Sequence, residues 1–272
     1  MPTFAVRLRR ALPAAALAAA SVCTLAAAPV APAAAPDRYV ALGDSYSSGN
    51  GTYAADLNVL CYRSSRAYPY LVARHRPDTR LTFVACHGAK TEDIVNDQAA
   101  ALDPDTDYVT LTVGGNDIGF AGLIANCLSG TGAGCAAAVA EAERKTAEEL
   151  PGKLDRAYNA VRGGAPNARK VVVLGYARFF GADVSCRAAG GITPELAARL
   201  NRLADDLDVV IRDRATAAGF TYQDPSPAFA GHDVCAARPY LNGVRLSVAD
   251  GWHPTRAGHK RGLAPLVRQV IG

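Results

Sequence analysis

Two segments near opposite ends of the chain carry side chains that could act together in acyl transfer. Ser45 follows a Gly-Asp pair directly after an apolar run at residues 39–42, and His253 stands three residues after Asp250. A serine is a weak nucleophile until a base removes its proton, and a histidine is an effective base when its second ring nitrogen is held. A turn would let the carboxylate hold that nitrogen. These groups predict a serine hydrolase with Ser45 as nucleophile, His253 as base and Asp250 as orienting acid.

Acyl transfer also needs hydrogen-bond donors for the negative oxygen that forms on the substrate. Gly88 offers a backbone N–H that no side chain shields, and Asn116 offers a side-chain amide after two glycines. Each residue has a plainer interpretation, since Gly and Asn are common in turns and Ser is common at helix caps. The functional interpretation gains weight because nucleophile, base, acid and two donors are expected to converge on one edge of one sheet.

The other histidines are weaker candidates for the base. His75 and His259 stand beside Arg or Lys, so we expect both to be solvated, and His232 lies in a loop near Cys235.

Short apolar runs alternate with helical patterns along the chain. Strands are predicted at residues 39–42, 81–85, 108–113 and 170–175, with a weaker one at 220–223. Helices are predicted at 67–75, 91–101, 136–162 with a break at Pro151-Gly152, 193–218 and 255–271, and a Gly-rich surface loop at 129–134. This alternation predicts a parallel sheet covered by helices on both faces. In such sheets the active site lies at the carboxyl ends of the strands, where Ser45, Gly88 and Asn116 follow the first three.

The first 35 residues have the pattern of a secretory signal peptide. Three Arg precede an apolar run rich in Ala and Leu, and small residues follow it. A membrane anchor is the alternative, but the run is short and weakly apolar, and no second segment could span a bilayer. We therefore expect a secreted protein with a single domain at residues 36–272.

Charge and cysteine content narrow the classes of partner. Without residues 1–35, 26 basic residues face 25 acidic ones, so the formal charge falls from +4 to +1. No basic tract suits nucleic acid. Six cysteines remain after the signal, and an even count in an exported protein favours disulfides over free thiols, with 15 possible connectivities. We favour pairing in sequence order, which gives Cys61–Cys86, Cys127–Cys135 and Cys186–Cys235. No Cys or His spacing suits zinc.

These segments resemble the four signature blocks of the SGNH/GDSL hydrolase family. The blocks are residues 43–47, Gly88, residues 115–117 and the pair Asp250 and His253, in the order of the family. Segments 84–89 and 113–120, with the cysteines, are similar to the secreted actinobacterial lipases and esterases. The resemblance covers residues 38–272 and implies a three-layer α/β/α, flavodoxin-like fold and ester hydrolysis.

The same resemblance implies a role for each site residue. It assigns the nucleophile to Ser45, the base to His253, and the oxyanion hole to the N–H groups of Ser45 and Gly88 and the side chain of Asn116. Some relatives hold the histidine with a backbone carbonyl, which leaves that carbonyl and Asp250 as alternative orienting groups.

The expected function is therefore that of a secreted, monomeric esterase or lipase that needs neither metal nor cofactor. Its partner would be a small-molecule or lipid ester. An acyltransferase, a phospholipase A or a glycan deacetylase would use the same site, and a binding module with vestigial catalytic groups is a further alternative. A metal phosphoesterase built from Asp44, Asp117, His87 and His253 is disfavoured because these residues lack metal-ligand spacing.

Overall fold

Five parallel strands form the single sheet of the computed structural model, which describes residues 1–5, 35–128, 132–245, 247 and 250–272. The predicted signal peptide therefore lies almost wholly outside the described residues. The strand order is β2-β1-β3-β4-β5, which is the flavodoxin-like order that the resemblance implied. The strands are β1 (Asp37–Ala41), β2 (Thr79–Phe83), β3 (Tyr108–Leu111), β4 (Lys170–Leu174) and β5 (Thr221–Gln223).

The burial of each strand follows its place in the sheet. Every residue of β3 is buried, as are the last four residues of β4, because helices cover both faces of the central strands. Strand β2 is at one edge, and its residues alternate between partly buried and exposed. All five predicted strands are present, with ends that differ from the prediction by at most two residues.

Helices lie on both faces of the sheet. Helices α2 and α9 contact each other on one face, whereas α3, α6, α5 and α7 pack in succession on the other. The described helices are α1 (Ser45–Ser48), α2 (Tyr68–His75), α3 (Thr91–Asn96), α4 (Phe120–Leu128), α5 (Gly132–Glu148), α6 (Leu150–Gly164), α7 (Pro194–Ala217), α8 (Ser226–Phe229) and α9 (Ala264–Ile271).

Several helix boundaries need correction. The predicted helix 91–101 ends at Asn96, and a 3₁₀ turn (Gln98–Ala101) follows it. The predicted break within 136–162 is confirmed, but it lies at Glu149, because Pro151, which lacks the N–H needed inside a helix, occupies the first turn of α6. Residues 132–134, predicted as loop, begin α5; the rest of that predicted loop, residues 129–131, lies outside the described residues.

The last helix also begins differently from the prediction. A π-helical turn (Gly258–Leu263) precedes α9, and it contains His259, which is fully buried. The prediction that His259 is solvated is therefore wrong. Its Nδ1 accepts a hydrogen bond from the Tyr68 N–H at 3.2 Å, so the ring joins the start of α2 to the C-terminal segment. His75 is exposed, as predicted.

Three disulfides cross-link the chain, and one of them joins the end of α4 to the start of α5. The pairs are Cys61–Cys86, Cys127–Cys135 and Cys186–Cys235, which confirms the predicted connectivity. None of the described helices is long and apolar enough to cross a bilayer.

Candidate active site

Ser45 begins a single helical turn at the carboxyl end of β1. Asp44 caps this turn, because its carboxylate accepts the Tyr46 N–H at 3.0 Å. The side chain of Gln98 fixes the preceding Gly43 through both peptide groups: Oε1 accepts the Gly43 N–H at 2.7 Å, and Nε2 donates to its carbonyl at 2.9 Å. Gly43 has φ of +120°, and an added Cβ would lie 2.5 Å from the Thr112 carbonyl oxygen, so the turn requires glycine.

The structure brings Ser45 and His253 into direct contact. His253 Nε2 lies 2.8 Å from Ser45 Oγ, and Nδ1 lies 2.6 Å from the carbonyl oxygen of Gly251. A carbonyl accepts hydrogen bonds and cannot donate them, so the proton of the neutral ring belongs on Nδ1. Nε2 then accepts the Ser45 hydroxyl proton, which is the arrangement that a general base requires.

The carboxylate of Asp250 has other partners than the imidazole. Its Oδ1 accepts the N–H of Gly51 at 2.9 Å and that of Tyr53 at 3.4 Å, and its Oδ2 accepts the Ser247 hydroxyl at 2.6 Å. The predicted hydrogen bond from the His253 ring to Asp250 is therefore replaced by one to a backbone carbonyl. The physical reason is the path of the backbone at residues 250–253. It directs the Gly251 carbonyl at the imidazole ring and the Asp250 carboxylate at the loop that contains Gly51 and Tyr53.

Aromatic packing holds the segment that carries His253. Trp252 has φ of +61°, which is an unfavourable conformation for a large side chain, and its ring packs between Phe179 and Phe180 with centroid distances of 5.5 and 5.7 Å. The Tyr46 hydroxyl donates to the Trp252 carbonyl at 3.2 Å. The residue that follows Ser45 thus binds the residue that precedes His253.

Burial controls the protonation of the histidine. Desolvation lowers the pKa of His253 to about 4, and the neighbouring His87 acts in the same direction. The hydrogen bond to the Gly251 carbonyl and the charge of Asp250 oppose this shift. The ring is consequently neutral at physiological pH and able to accept a proton.

Candidate oxyanion donors surround the Ser45 turn. Asn116 Nδ2 donates one hydrogen to the Ala89 carbonyl at 2.9 Å, which orients the amide and leaves its second hydrogen available. Gly88, directly before Ala89, has φ of +77°, and open space surrounds the position of an added Cβ. Among the described residues, neither Gly88 N–H nor Ser45 N–H donates to a protein acceptor. These are the three groups predicted to form an oxyanion hole.

Tyr176, at the end of β4, connects the nucleophile turn to the glycine turn after β3. Its hydroxyl donates to Asp44 Oδ2 and accepts the Gly115 N–H at 3.2 Å. Thr112 also donates to Asp44, at 2.6 Å. Burial raises the pKa of Asp44 to about 6, although these hydrogen bonds oppose the shift. Asp208 in α7 accepts the Tyr176 N–H at 2.8 Å, and burial raises its pKa to about 7.

A cavity of about 690 Å³ opens beside Ser45, Asn116 and His253. Helices α4 and α7 provide a large share of its apolar wall, with side chains that include Leu123, Ile124, Leu200, Leu203, Ala204 and Leu207. The loops after the strands predict six apolar lining residues, namely Tyr46, Tyr53, Ile118, Phe120, Phe179 and Phe180. All of these except Tyr53 and Phe180 line the cavity. A long apolar wall that ends at a nucleophile suits an acyl chain.

The residues of the alternative metal site have other roles. Asp117 accepts both the N–H and the hydroxyl of Thr91, at 3.0 and 2.7 Å, and so holds the start of α3. His87 lines the cavity, and its Nδ1 lies 2.9 Å from Asn50 Nδ2. Within the described residues, no cluster of three His, Cys, Asp or Glu side chains could hold a metal ion.

Sequence reasoning missed Gln98, Tyr176 and Asp208. Tyr176 follows the fourth strand, so the rule that identified the other site residues would also have found it. Gln98 and Asp208 lie within predicted helices, where nothing in the local pattern distinguishes them from solvated polar residues.

A family model for the GDSL-like lipase/acylhydrolase family matches residues 41–261. The chain is 42% identical over 234 residues to a lipase of Streptomyces rimosus, which covers 85% of this chain and 86% of the relative. It is 41% identical over 254 residues to lipase 1 of Streptomyces coelicolor, with 92% of each chain covered.

Solved structures also show similarity to lipolytic enzymes of Streptomyces. The crystal structure of an extracellular lipase from Streptomyces rimosus matches with a TM-score of 0.81 and 40% identity, over 86% of this chain and 99% of that chain. A phospholipase A1 from Streptomyces albidoflavus NA297 matches with a TM-score of 0.81 and 41% identity, over the same shares. The chain therefore belongs to the GDSL-like lipase/acylhydrolase family and is a carboxylic ester hydrolase.

Proposed function

We propose that the protein is a secreted serine lipase or esterase that cleaves acyl esters in two steps through a covalent intermediate on Ser45. The observation that carries this proposal is the pair of short contacts made by one imidazole, 2.8 Å to the Ser45 hydroxyl and 2.6 Å to the Gly251 carbonyl. One contact fixes the tautomer and the other positions the base.

In the first step, His253 Nε2 takes the proton of Ser45 as Oγ bonds to the ester carbonyl carbon. The carbonyl oxygen becomes negative and accepts hydrogen bonds from the N–H groups of Ser45 and Gly88 and from Asn116. Each donor of this kind contributes about 10²–10³ in rate. The imidazolium then gives its proton to the alkoxide oxygen as the C–O bond breaks, so the alcohol leaves neutral.

The second step uses the same groups with water. His253, again neutral, takes a proton from water as the water oxygen attacks the acyl carbon on Ser45. The imidazolium returns a proton to Ser45 Oγ when the acid leaves. The Gly251 carbonyl accepts from Nδ1 throughout and stabilises the positive ring, a function that an acidic side chain serves in other serine hydrolases. These two reaction steps require neither a metal ion nor a cofactor.

The cavity supports a substrate with a long acyl chain. Its wall is apolar along α4 and α7, and it ends at Ser45. Relatives described as lipases and as a phospholipase A1 support a lipid ester over a polar acetylated glycan. A phospholipase activity and acyl transfer to another alcohol remain candidates that share this site.

Export is the second part of the proposal. The signal-like residues 1–35, the three disulfides and an extracellular relative support secretion. We propose a mature chain that begins near residue 36, forms one catalytic domain and acts as a monomer.

Hydrolysis of p-nitrophenyl esters by the purified mature chain tests the catalytic proposal. We expect Ser45→Ala to abolish turnover without change in the thermal unfolding midpoint, whereas Ser185→Ala, at an exposed serine, retains wild-type rates. Substantial turnover by folded Ser45→Ala would rule out Ser45 as the nucleophile.

A further inference from the structure

Four large apolar side chains lie exposed within eight consecutive residues of the apolar loop, which we define as residues 50–66. The exposed fractions are 51% for Tyr53, 45% for Leu57, 71% for Val59 and 86% for Leu60. Beyond the first five residues, only three other large apolar side chains of the described chain are exposed: Val95, Val209 and Val244. Scattered exposed apolar side chains are ordinary, but a concentration of this kind marks an interaction surface.

The exposure is fixed by the structure of the loop. Asn58 and Arg63 form an antiparallel bridge, so Val59 and Leu60 stand at the tip of a tight turn. Cys61, in the same turn, donates its N–H to Asn58 Oδ1 at 2.8 Å and is joined to Cys86 by a disulfide. These constraints keep the two aliphatic side chains from folding back onto the protein.

The apolar loop is attached to both sides of the catalytic centre. On one side, His87, which lines the cavity, donates its N–H to the Cys61 carbonyl at 3.1 Å, and its ring packs against Tyr62 at 5.3 Å. On the other side, the Asp250 carboxylate binds the N–H groups of Gly51 and Tyr53. The exposed side chains are therefore held beside the cavity that contains Ser45.

The charge of the loop indicates which partner it suits. The tip at residues 57–62 carries no charged side chain; Asp56, whose carboxylate accepts the Ser65 N–H at 3.0 Å, stands before it, and Arg63 and Arg66 follow it. An apolar tip beside an apolar cavity would gain little binding energy from a soluble, polar ester. It would bind more favourably to aggregated lipid, because Val59 and Leu60 could insert among the acyl chains.

We propose that the apolar loop docks the enzyme onto the surface of aggregated lipid, so that acyl esters pass from the lipid phase into the cavity beside Ser45. This inference rests on the proposed function, since it presumes an acyl-ester substrate. It assigns Asp250 a positioning role, because that carboxylate joins the docking loop to the segment that carries His253.

Binding to vesicles of dioleoylphosphatidylcholine tests the docking. All proteins carry Ser45→Ala so that the lipid is not consumed. We expect the double variant Val59→Ser/Leu60→Ser to bind at least tenfold more weakly than its parent, since two exposed aliphatic side chains lose their transfer into lipid. Leu57→Ser should weaken binding to a smaller extent. Val95→Ser and Val209→Ser, which change valines elsewhere with exposed fractions of 40% and 42%, should bind within twofold of the parent.

Kinetics in the active background separate docking from chemistry. The double variant should hydrolyse monomeric p-nitrophenyl butyrate within twofold of the wild-type rate, but should lose at least tenfold on a long-chain ester presented in the same vesicles. Failure of the wild-type chain to hydrolyse p-nitrophenyl butyrate would contradict the proposed function. If hydrolysis of p-nitrophenyl butyrate is normal and the double variant binds vesicles as tightly as the Val controls do, the docking proposal alone is overturned. It is also overturned if light scattering shows that the exposed side chains serve only to dimerise the protein.

Discussion

Among single residues, the two roles expected of Asp250 belong to different groups: a backbone carbonyl orients the imidazole, and the carboxylate holds a neighbouring loop. The Gly251 carbonyl holds the imidazole tautomer, and Asp250 holds the loop at residues 50–53 against the segment that ends in His253. A backbone carbonyl lacks a full charge, so the ring depends on hydrogen-bond geometry more than on an ion pair.

Replacement of Asp250 by Asn tests this division. Asn retains an oxygen for the Gly51 N–H and an NH₂ group that can donate to Ser247, so the fold should be kept. We expect kcat for a p-nitrophenyl ester to fall less than about tenfold, compared with about 10⁴ where the acid itself holds the histidine. A loss in kcat near the larger value, in a variant with unchanged thermal unfolding, would show that the carboxylate serves the imidazole directly.

The partly buried His253 also sets the pH dependence. Because burial lowers the pKa of His253 to about 4, the neutral base persists well below the usual histidine pKa of about 6.5. We expect kcat/KM to stay nearly constant from about pH 8 to pH 6 and to halve near pH 4 as the ring gains a proton. A pH–rate profile on a stable ester checks this. A fall in kcat/KM centred near pH 6.5 would contradict the lowered pKa of His253. If the Asp44→Asn variant lacks that fall, the fall reports the titration of Asp44 instead.

At the level of secondary structure, the nucleophile and the candidate oxyanion donors are placed by the ends of strands, whereas His253 is carried by the turn before the C-terminal helix. Ser45 follows β1, Gly88 follows β2 and Asn116 follows β3, and parallel strands bring these ends to one edge. Helices α4 and α7 instead provide much of the apolar part of the cavity wall. Chemistry and chain-length preference therefore reside in different elements and should be separable by mutation.

Ala204 in α7 provides that separation. Its methyl group lines the cavity, and a phenyl ring there would occupy space available to the acyl chain. We expect Ala204→Phe to leave hydrolysis of a butyrate ester within about threefold and to lower that of a palmitate ester by at least tenfold. Ala198→Phe, at an exposed position of the same helix, is the matched control. An equal loss on both esters would place the acyl chain elsewhere.

For the whole molecule, the sequence predicts the order and type of the secondary-structure elements more completely than the residues at which they begin and end. Buried strands such as β3 and β4 are short continuous apolar runs, and their alternation with helices is sufficient to predict a parallel sheet. The burial of His259 depends on contacts between α2 and the C-terminal segment, which no local pattern contains. The partner of the His253 ring was likewise left open, because a carbonyl is present at every residue and only the backbone path selects Gly251.

The disulfides make a graded prediction for stability. A cross-link that closes a longer loop removes more entropy from the unfolded chain. Sequence separations of 49 for Cys186–Cys235 and 8 for Cys127–Cys135 correspond to about 4 and 2.5 kcal/mol in that model. Paired Cys→Ser variants in urea unfolding should lose stability in this order. A larger loss for Cys127–Cys135 would indicate that local strain or packing outweighs loop entropy.

Covalent labelling with a fluorophosphonate decides whether Ser45 is the activated nucleophile, because the reagent phosphonylates an activated serine and releases fluoride. Mass spectrometry of the intact mature chain should show one added phosphonyl group, and peptide mapping should place it on Ser45, with loss of ester hydrolysis in proportion to labelling. Ser45→Ala should not be labelled, and His253→Ala should be labelled far more slowly, because its serine lacks the base. A label on another serine, or an unlabelled enzyme that still hydrolyses esters, would contradict the account.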